Sequence, residues 1–357
     1  MKLRETASTG QLRRFDGLSI RNNTLNYLHV VAIAVLLTVG AAISGGQFVQ
    51  QANLRVILLA CVVSGLLAIA QSLALIAREI DLALGATLVF SPLIAVYTAD
   101  QIYFAVTGSG LLIGITGTLV GGWSLVVILT LAYATLIGSL LGFMTAYLKV
   151  PSFVVTIGMS FVMIGFGYVL SQGTPVFFQN VEGSGVLGNT FLGDLVPLGF
   201  LILTSVALAT AFLMRWTRIG PRLYAAGGNA RSALLAGINV KLWKVFAFTL
   251  GGSIIGVAAV LNMSRMQGVD IGQSSNFALQ SIVIALLGGV GVRGGEGRIV
   301  TVLLATFTFA VLSQLLSAFG FNFYVQMIFA GLVVLVFAGF GKRAESSRLR
   351  RAGKIEV

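Results

Sequence analysis

The sequence predicts an all-α, polytopic membrane protein of about ten transmembrane helices. Three observations carry this. Apolar residues make up 57 % of the 357 and charged residues only 10 %, where a soluble chain carries about 25 % charged. Charged positions leave long gaps, at 22–54, 56–77, 101–148, 150–181, 195–214, 245–264, 271–292 and 299–341. A hydrocarbon core of roughly 30 Å takes about 20 helical residues to cross, so most gaps hold one span and the longest hold up to two. The apolar runs are also continuous, whereas barrel strands alternate polarity over about ten residues.

In chain order, residues 1–27 are a polar, basic cytoplasmic tail, and the first helix covers 28–43. A cleaved signal peptide is the rival reading, but its charged region would be unusually long, so a retained helix is preferred. His29, alone at the helix entrance, reads as an interfacial residue rather than a ligand. The second span, 54–77, stops at Arg78-Glu79-Ile80-Asp81, and the third, 82–106, contains Pro92 and Asp100, which break or shorten it. The Gly-rich stretch 107–122 is an extra short helix, a re-entrant piece or an outer loop, so nine or eleven spans stay open beside ten. A span at 123–148 ends in Lys149-Val150-Pro151, where the residue before proline leaves the helical region and proline starts the next segment. Spans at 152–171 and 195–214 flank an acidic loop, and spans at 245–264, 275–291, 298–318 and 323–341 follow the loop 215–244. The transmembrane body thus runs over 28–341, with a basic tail at 342–357.

Charge sets the orientation. The loop 172–194 carries Glu182 and Asp194 and no Lys or Arg; the loop 215–244 carries Arg215, Arg218, Arg222, Arg231, Lys241 and Lys244 and no acid. The basic loop is therefore cytoplasmic, and both termini with it. The net charge of +12 is concentrated in that loop and the two tails. Positive-inside topology accounts for it, and a nucleic-acid partner is not implied. Cys61, the single cysteine, allows no disulfide framework and reads as a small packing residue.

Close helix packing is signalled by GxxxG at Gly110/Gly114, Gly117/Gly121, Gly138/Gly142 and Gly252/Gly256. Ile80-Asp81-Leu82 and Val269-Asp270-Ile271 each follow one apolar run and lead into another, from opposite sides of the membrane. They are either ordinary loops or equivalent points of an inverted repeat with broken helices. Enzymatic constellations are missing: Gly341-Lys342 is followed by Arg343, with Val336 where a P-loop's first glycine would stand. Gly289 to Gly294 matches GxGxxG but follows no strand, so it reads as a turn. No catalytic, cofactor-binding or metal-binding set emerges, and in-span carboxylates are too scarce for a proton-driven pump.

Within the cytoplasmic loop, Asn229 is a good N-cap, 230–236 has helix formers and Gly237 supplies a stop. The short helix so predicted presents Ala230, Ala233, Leu234 and Gly237 on one face. At about two turns it is marginal alone in water and should dock on something, either the lipid interface or a partner.

This loop resembles the cytoplasmic signature of the permease subunits of bacterial monosaccharide ABC importers of the ribose, xylose and arabinose type. Three further segments are similar to that family in the same order: Ile80-Asp81-Leu82-Ala83-Leu84-Gly85, Leu148 to Gly158, and Gly288-Gly289 through Gly294-Gly295-Glu296-Gly297. The likeness covers about residues 54–341. It departs from the family where Arg78-Glu79 replaces the usual Gly-Gly, and where Pro221 and Ala230 stand for the usual Arg and Pro.

The resemblance implies a multi-pass protein of the bacterial plasma (inner) membrane that moves a monosaccharide or similar polyol by ATP-driven alternating access. Its partners would be a second permease copy or paralogue, two cytoplasmic ATPase subunits and an extracytoplasmic sugar-binding protein. No cofactor would bind this chain directly; ATP and Mg would be used by the ATPase. The family's coupling helix maps onto Asn229, Ala230, Arg231, Ser232, Ala233, Leu234, Leu235, Ala236, Gly237 and Ile238. A path for a neutral polyol needs uncharged hydrogen-bonders, and the in-span candidates are Gln71, Thr156, Ser160, Asn262, Gln280, Gln314 and Gln326. Interhelical hydrogen bonding is the competing role for each. A secondary transporter or channel, working without an ATPase, is the alternative.

Overall fold

The computed structural model describes residues 25–107, 122–177 and 183–322, with residues 325, 326, 328, 329, 331 and 332. The tails expected at 1–27 and 342–357, most of the 107–122 stretch and most of the span expected at 323–341 lie outside the described residues. Helix α1 covers Leu25–Ile43. It is followed by α2 (Gln51–Ile76), α3 (Leu84–Thr107), α4 (Gly122–Tyr147), α5 (Ser152–Ser171), α6 (Val186–Asn189) and α7 (Leu198–Trp216). The short helices α8 (Ile219–Gly228) and α9 (Ala230–Leu235) lead into α10 (Val240–Met266), α11 (Ser274–Leu287) and α12 (Ile299–Ala318). Eight of these, α1 to α5, α7, α10 and α12, are long and apolar enough to cross a bilayer. The chain is all-α; among the described residues strands occur only in two-residue pairs, β1 (Val176–Phe177) with β4 (Gly268–Val269), and β2 (Phe191–Leu192) with β3 (Val196–Pro197).

Helix α11 corrects the span expected at 275–291: at 14 residues it is too short to cross. Helix α3, in contrast, runs unbroken through Pro92. Neighbouring helices make such a proline tolerable in a span.

Helix α2 is the axis of the bundle. It is buried without interruption from Cys61 to Ile76 and packs against α7, α10, α11 and α12. That explains a sequence apolar on every side, the mark of a helix with protein all round it. Helix α1, by contrast, leaves Val30, Val31, Val35 and Ile43 exposed. His29 turns inward, 4 % exposed, with Nε2 3.2 Å from the Leu287 carbonyl and Nδ1 3.1 Å from Thr308 Oγ1. The interfacial role expected for it is thus replaced by a buried one, because its ring fits between the end of α11 and Thr308 of α12.

Two of the GxxxG pairs build the tightest interface. A Cβ on Gly138 would press on the Phe248 carbonyl and lie 2.9 Å from the Gly252 Cα; one on Gly142 would lie 2.9 Å from the Val245 Cα. Backbone approach brings polar side chains together as well, Thr135 with Ser253 at 3.1 Å and Ser139 with Thr249 at 3.0 Å. In lipid such packing and interhelical bonds replace the hydrophobic drive.

Candidate functional site

The basic loop folds as two short helices. Asn229 Oδ1 accepts from the Ser232 amide at 3.0 Å, and Gly237, at φ +78°, ends α9 with the Ile238 amide bonded to the Ala233 carbonyl at 2.9 Å. Only Ala233 is buried, against Ala226 and Val240, while Ile238 is half-buried. Of the face predicted from Ala230, Ala233, Leu234 and Gly237, Ala233 turns into the permease, and the other three stay exposed. Leu234 and Leu235 stand 61 % and 85 % exposed, side by side on a two-turn helix. Several cations of the loop have local work: Arg222 lies over the Trp243 ring, Lys241 over the Tyr147 ring, and Lys244 pairs with Glu79. Arg218 and Arg231 are exposed.

This loop is anchored to the axis. A Cβ on Gly227 would collide with the Ile76 carbonyl, which accepts from the Gly295 amide at 2.8 Å. The turn 291–297 closes on α8 through the Tyr224 hydroxyl, which donates to the Gly297 carbonyl at 2.8 Å. Burial pushes the Tyr224 phenol up to about 12. The GxGxxG match at Gly289 to Gly294 is spent on this turn, with Gly289 and Gly294 both at φ +77°.

At the same end α2 stops in a Schellman motif: the Glu79 amide bonds to the Ala74 carbonyl and the Arg78 amide to Leu75, both at 2.9 Å. Arg78 takes the left-handed conformation, φ +65°, that glycine fills without strain. Residues 79–83 then descend beside α5. The Ile80 amide donates to Ser152 Oγ at 3.1 Å, Thr156 Oγ1 reaches the Ile80 carbonyl at 3.4 Å, and Ser160 Oγ the Leu82 carbonyl at 3.1 Å. Since a helix rises 1.5 Å per residue, the steps from Ser152 to Ser160 carry the segment about 12 Å inward before α3 begins. Non-helical backbone at that depth is viable only when protein groups satisfy it, and these hydroxyls do so.

From the opposite end comes a matching turn. Asp81 Oδ1 accepts from the Ala83 amide at 2.8 Å, and Asp270 Oδ1 from the Gly272 amide at 2.9 Å. The helices they introduce meet: a Cβ on Gly85 would collide with the Ser274 carbonyl. From there α3 and α11 run toward opposite ends, as the paired Asp segments of an inverted repeat require. Helix α5 carries the outer face of this arrangement, with Phe161 and Phe166 72 % and 62 % exposed, and nothing within 4 Å of a Cβ on Gly158 or Gly165.

The candidate path residues are not gathered in one place. Thr156 and Ser160 are together on α5, facing 80–82. Gln71 is fully buried in α2, with neither amide atom hydrogen-bonded. Asn262 in α10 and Gln280 in α11 are half-buried. Gln314 Nε2 donates to Asn53 Oδ1 at 3.3 Å, at the far end of the bundle, and Gln326 Nε2 to the Phe321 carbonyl at 3.4 Å. Among the described residues no cluster of His, Cys, Asp and Glu could hold a metal. Sequence reasoning missed Ser152 as a backbone partner and the Lys244 partner of Glu79; a carboxylate beside an apolar run was the signal for the latter.

A profile of the family described as branched-chain amino acid transport system / permease component matches residues 53–338. The chain is 28 % identical to the ribose import permease protein of Escherichia coli (strain K12) over 86 % of this chain and 90 % of that one. It is 27 % identical to the L-arabinose ABC transporter permease protein of Azospirillum brasilense, over 93 % and 91 %. With the D-allose transport system permease protein of Escherichia coli (strain K12) the identity is 25 %, over 85 % and 87 %. No solved structure matches.

Proposed function

Because this chain belongs to the family of branched-chain amino acid transport system permease components, we propose that it is the membrane subunit of an ATP-driven importer for a monosaccharide or similar small polyol. It is a multi-pass protein of the bacterial inner membrane and a transport subunit, not an enzyme. The observation that carries the reading is α9, which leaves Leu234 and Leu235 uncovered on a capped, anchored helix. An ATPase groove that covers them would move α9 as its own dimer opens and closes. A partner shifts the permease between outward- and inward-facing states only by binding the two unequally.

Asn229 to Ile238 form the coupling segment of the cytoplasmic loop 215–244. Two ATPase chains use ATP and Mg, a second permease copy or paralogue completes the path, and an extracytoplasmic binding protein delivers solute. The choice of a sugar rests on the ribose, arabinose and allose permeases that this chain is similar to. The path runs beside the exposed face of α5, where Gly158 and Gly165 leave open space. Thr156 and Ser160 shape it by holding the backbone of 80–82, half-buried Asn262 and Gln280 line its flanks, Gln314 ties α12 to Asn53 of α2, and Gln71 and Gln326 stand apart from it.

The test is reconstitution of this chain with its ATPase and binding protein in liposomes. Hydrolysis stimulated by the loaded binding protein supports the reading. An isolated permease that passes solute at the same rate without an ATPase overturns it.

A further inference from the structure

We propose that the Glu79–Lys244 ion pair is a positioning element of coupling, which carries displacement of the α9–α10 corner to the re-entrant segment 79–83 and through it to α5. The inference rests on α9 being the ATPase contact.

The mechanical connection is short on both sides of the pair. Between α9 and α10 lie only 236–239, and that corner is tied within itself: the Ile238 amide to the Ala233 carbonyl at 2.9 Å, the Leu242 amide to Asn239 Oδ1 at 3.3 Å. Ala233, Val240 and Trp243 share one small apolar core, so α9 and the first turn of α10 move as a piece. Lys244 follows that turn directly, its side chain 27 % exposed. Across from it, the Glu79 side chain is 8 % exposed and belongs to the segment whose backbone is bonded to Ser152, Thr156 and Ser160. Residue 79 is thus a point where the loop touches the segment that grips α5.

A second contact runs beside it: Phe248 of α10 packs in one core with Ala83, Val155 and Met163. An apolar contact is non-directional and ties no one atom to another. Opposite charges sheltered from water cannot separate without losing an interaction that strengthens as the surroundings dry. The ion pair therefore fixes where 79–83 sits when α10 moves, which the Phe248 contact does not.

The experiment uses the full complex in liposomes, with Gly165→Cys as a reporter on the exposed face of α5. Cys61 is fully buried and contributes no background. The readouts are ATP hydrolysis and the change, on adding ATP and Mg, in the rate at which a water-soluble maleimide labels the reporter. Glu79→Gln keeps the shape and leaves only the partly exposed Lys244 unpaired. It should preserve hydrolysis and reduce the ATP-dependent labelling change by about tenfold, within the usual range of coupling between sites. Exchange of the charges, Glu79→Lys with Lys244→Glu, should restore the response. Should Glu79→Gln fail to assemble, Glu79→Asp keeps the charge but shortens the reach, and should give a partial loss.

A full labelling response in Glu79→Gln or Glu79→Asp overturns the proposal, as does a lost response that the exchanged pair leaves unrepaired. If the parent complex itself hydrolyses no ATP, the ATPase reading fails and takes this inference with it. A responsive parent with an equally responsive Glu79→Gln sinks the ion pair alone.

Discussion

Replacing both leucines of α9, Leu234→Arg with Leu235→Arg, separates docking from folding. Leu234 is 61 % and Leu235 85 % exposed, so nearly one and a half leucine side chains remain for a partner to cover. At about 1.5–3 kcal/mol for each fully buried leucine, their loss should weaken the complex by about 2–4 kcal/mol. That corresponds to roughly 30- to 700-fold in dissociation constant. Neither side chain packs inside the permease, so its own stability should change by less than about 0.5 kcal/mol. Ala233→Glu would confound the experiment, because Ala233 is 3 % exposed between Ala226 and Val240. The assay is titration of detergent-solubilised permease with the ATPase subunit, in parallel with thermal unfolding. Unchanged affinity in a well-folded double variant would refute the assignment of α9 as the contact.

Further outcomes follow from the packing. Cys61 is fully buried, so a fluorogenic maleimide should leave it unlabelled in the folded protein and label it on unfolding; rapid labelling at low temperature would contradict the burial of α2. With that readout, Gly138→Val should cost about 1–3 kcal/mol or more, since its side chain meets the Phe248 carbonyl and the Gly252 backbone. Gly165→Ala, facing open space, should be neutral or raise the unfolding temperature; equal effects at the two glycines would count against the α4–α10 contact. Arg78→Gly should stabilise by up to about 1 kcal/mol, because relief of the left-handed conformation exceeds glycine's added freedom in the unfolded chain. A lower unfolding temperature would show that the Arg78 side chain holds something its exposure does not suggest.

Much of this was legible in the sequence for plain physical reasons. A bilayer leaves no solvent for a bare amide, so spans must be long, apolar and helical, and the charge gaps expose them. The Asn229 cap and Gly237 stop are local chemistry, readable from a few neighbours. The depth of the re-entrant segments is different. Ser152, Thr156 and Ser160 recur every four residues on α5, which reads equally as a polar path or as a row of backbone partners; only tertiary contact with 80–82 decides. Helix α11 is short for the same reason, since part of its depth is crossed by the turn at Asp270 and the residues after it. The dipeptide Arg78-Glu79 announced charge in an apolar setting, but the Lys244 partner lies 165 positions away and no spacing rule reaches it.

ATP-driven import is measured as uptake of radiolabelled D-ribose, L-arabinose and D-allose into liposomes holding this permease and its ATPase, with binding protein outside and ATP inside. Uptake of at least one of these sugars should require both ATP and the binding protein and be lost with Leu234→Arg and Leu235→Arg. Uptake that proceeds without the ATPase, driven by an ion gradient or by the solute gradient alone, would make this chain a secondary transporter or channel instead.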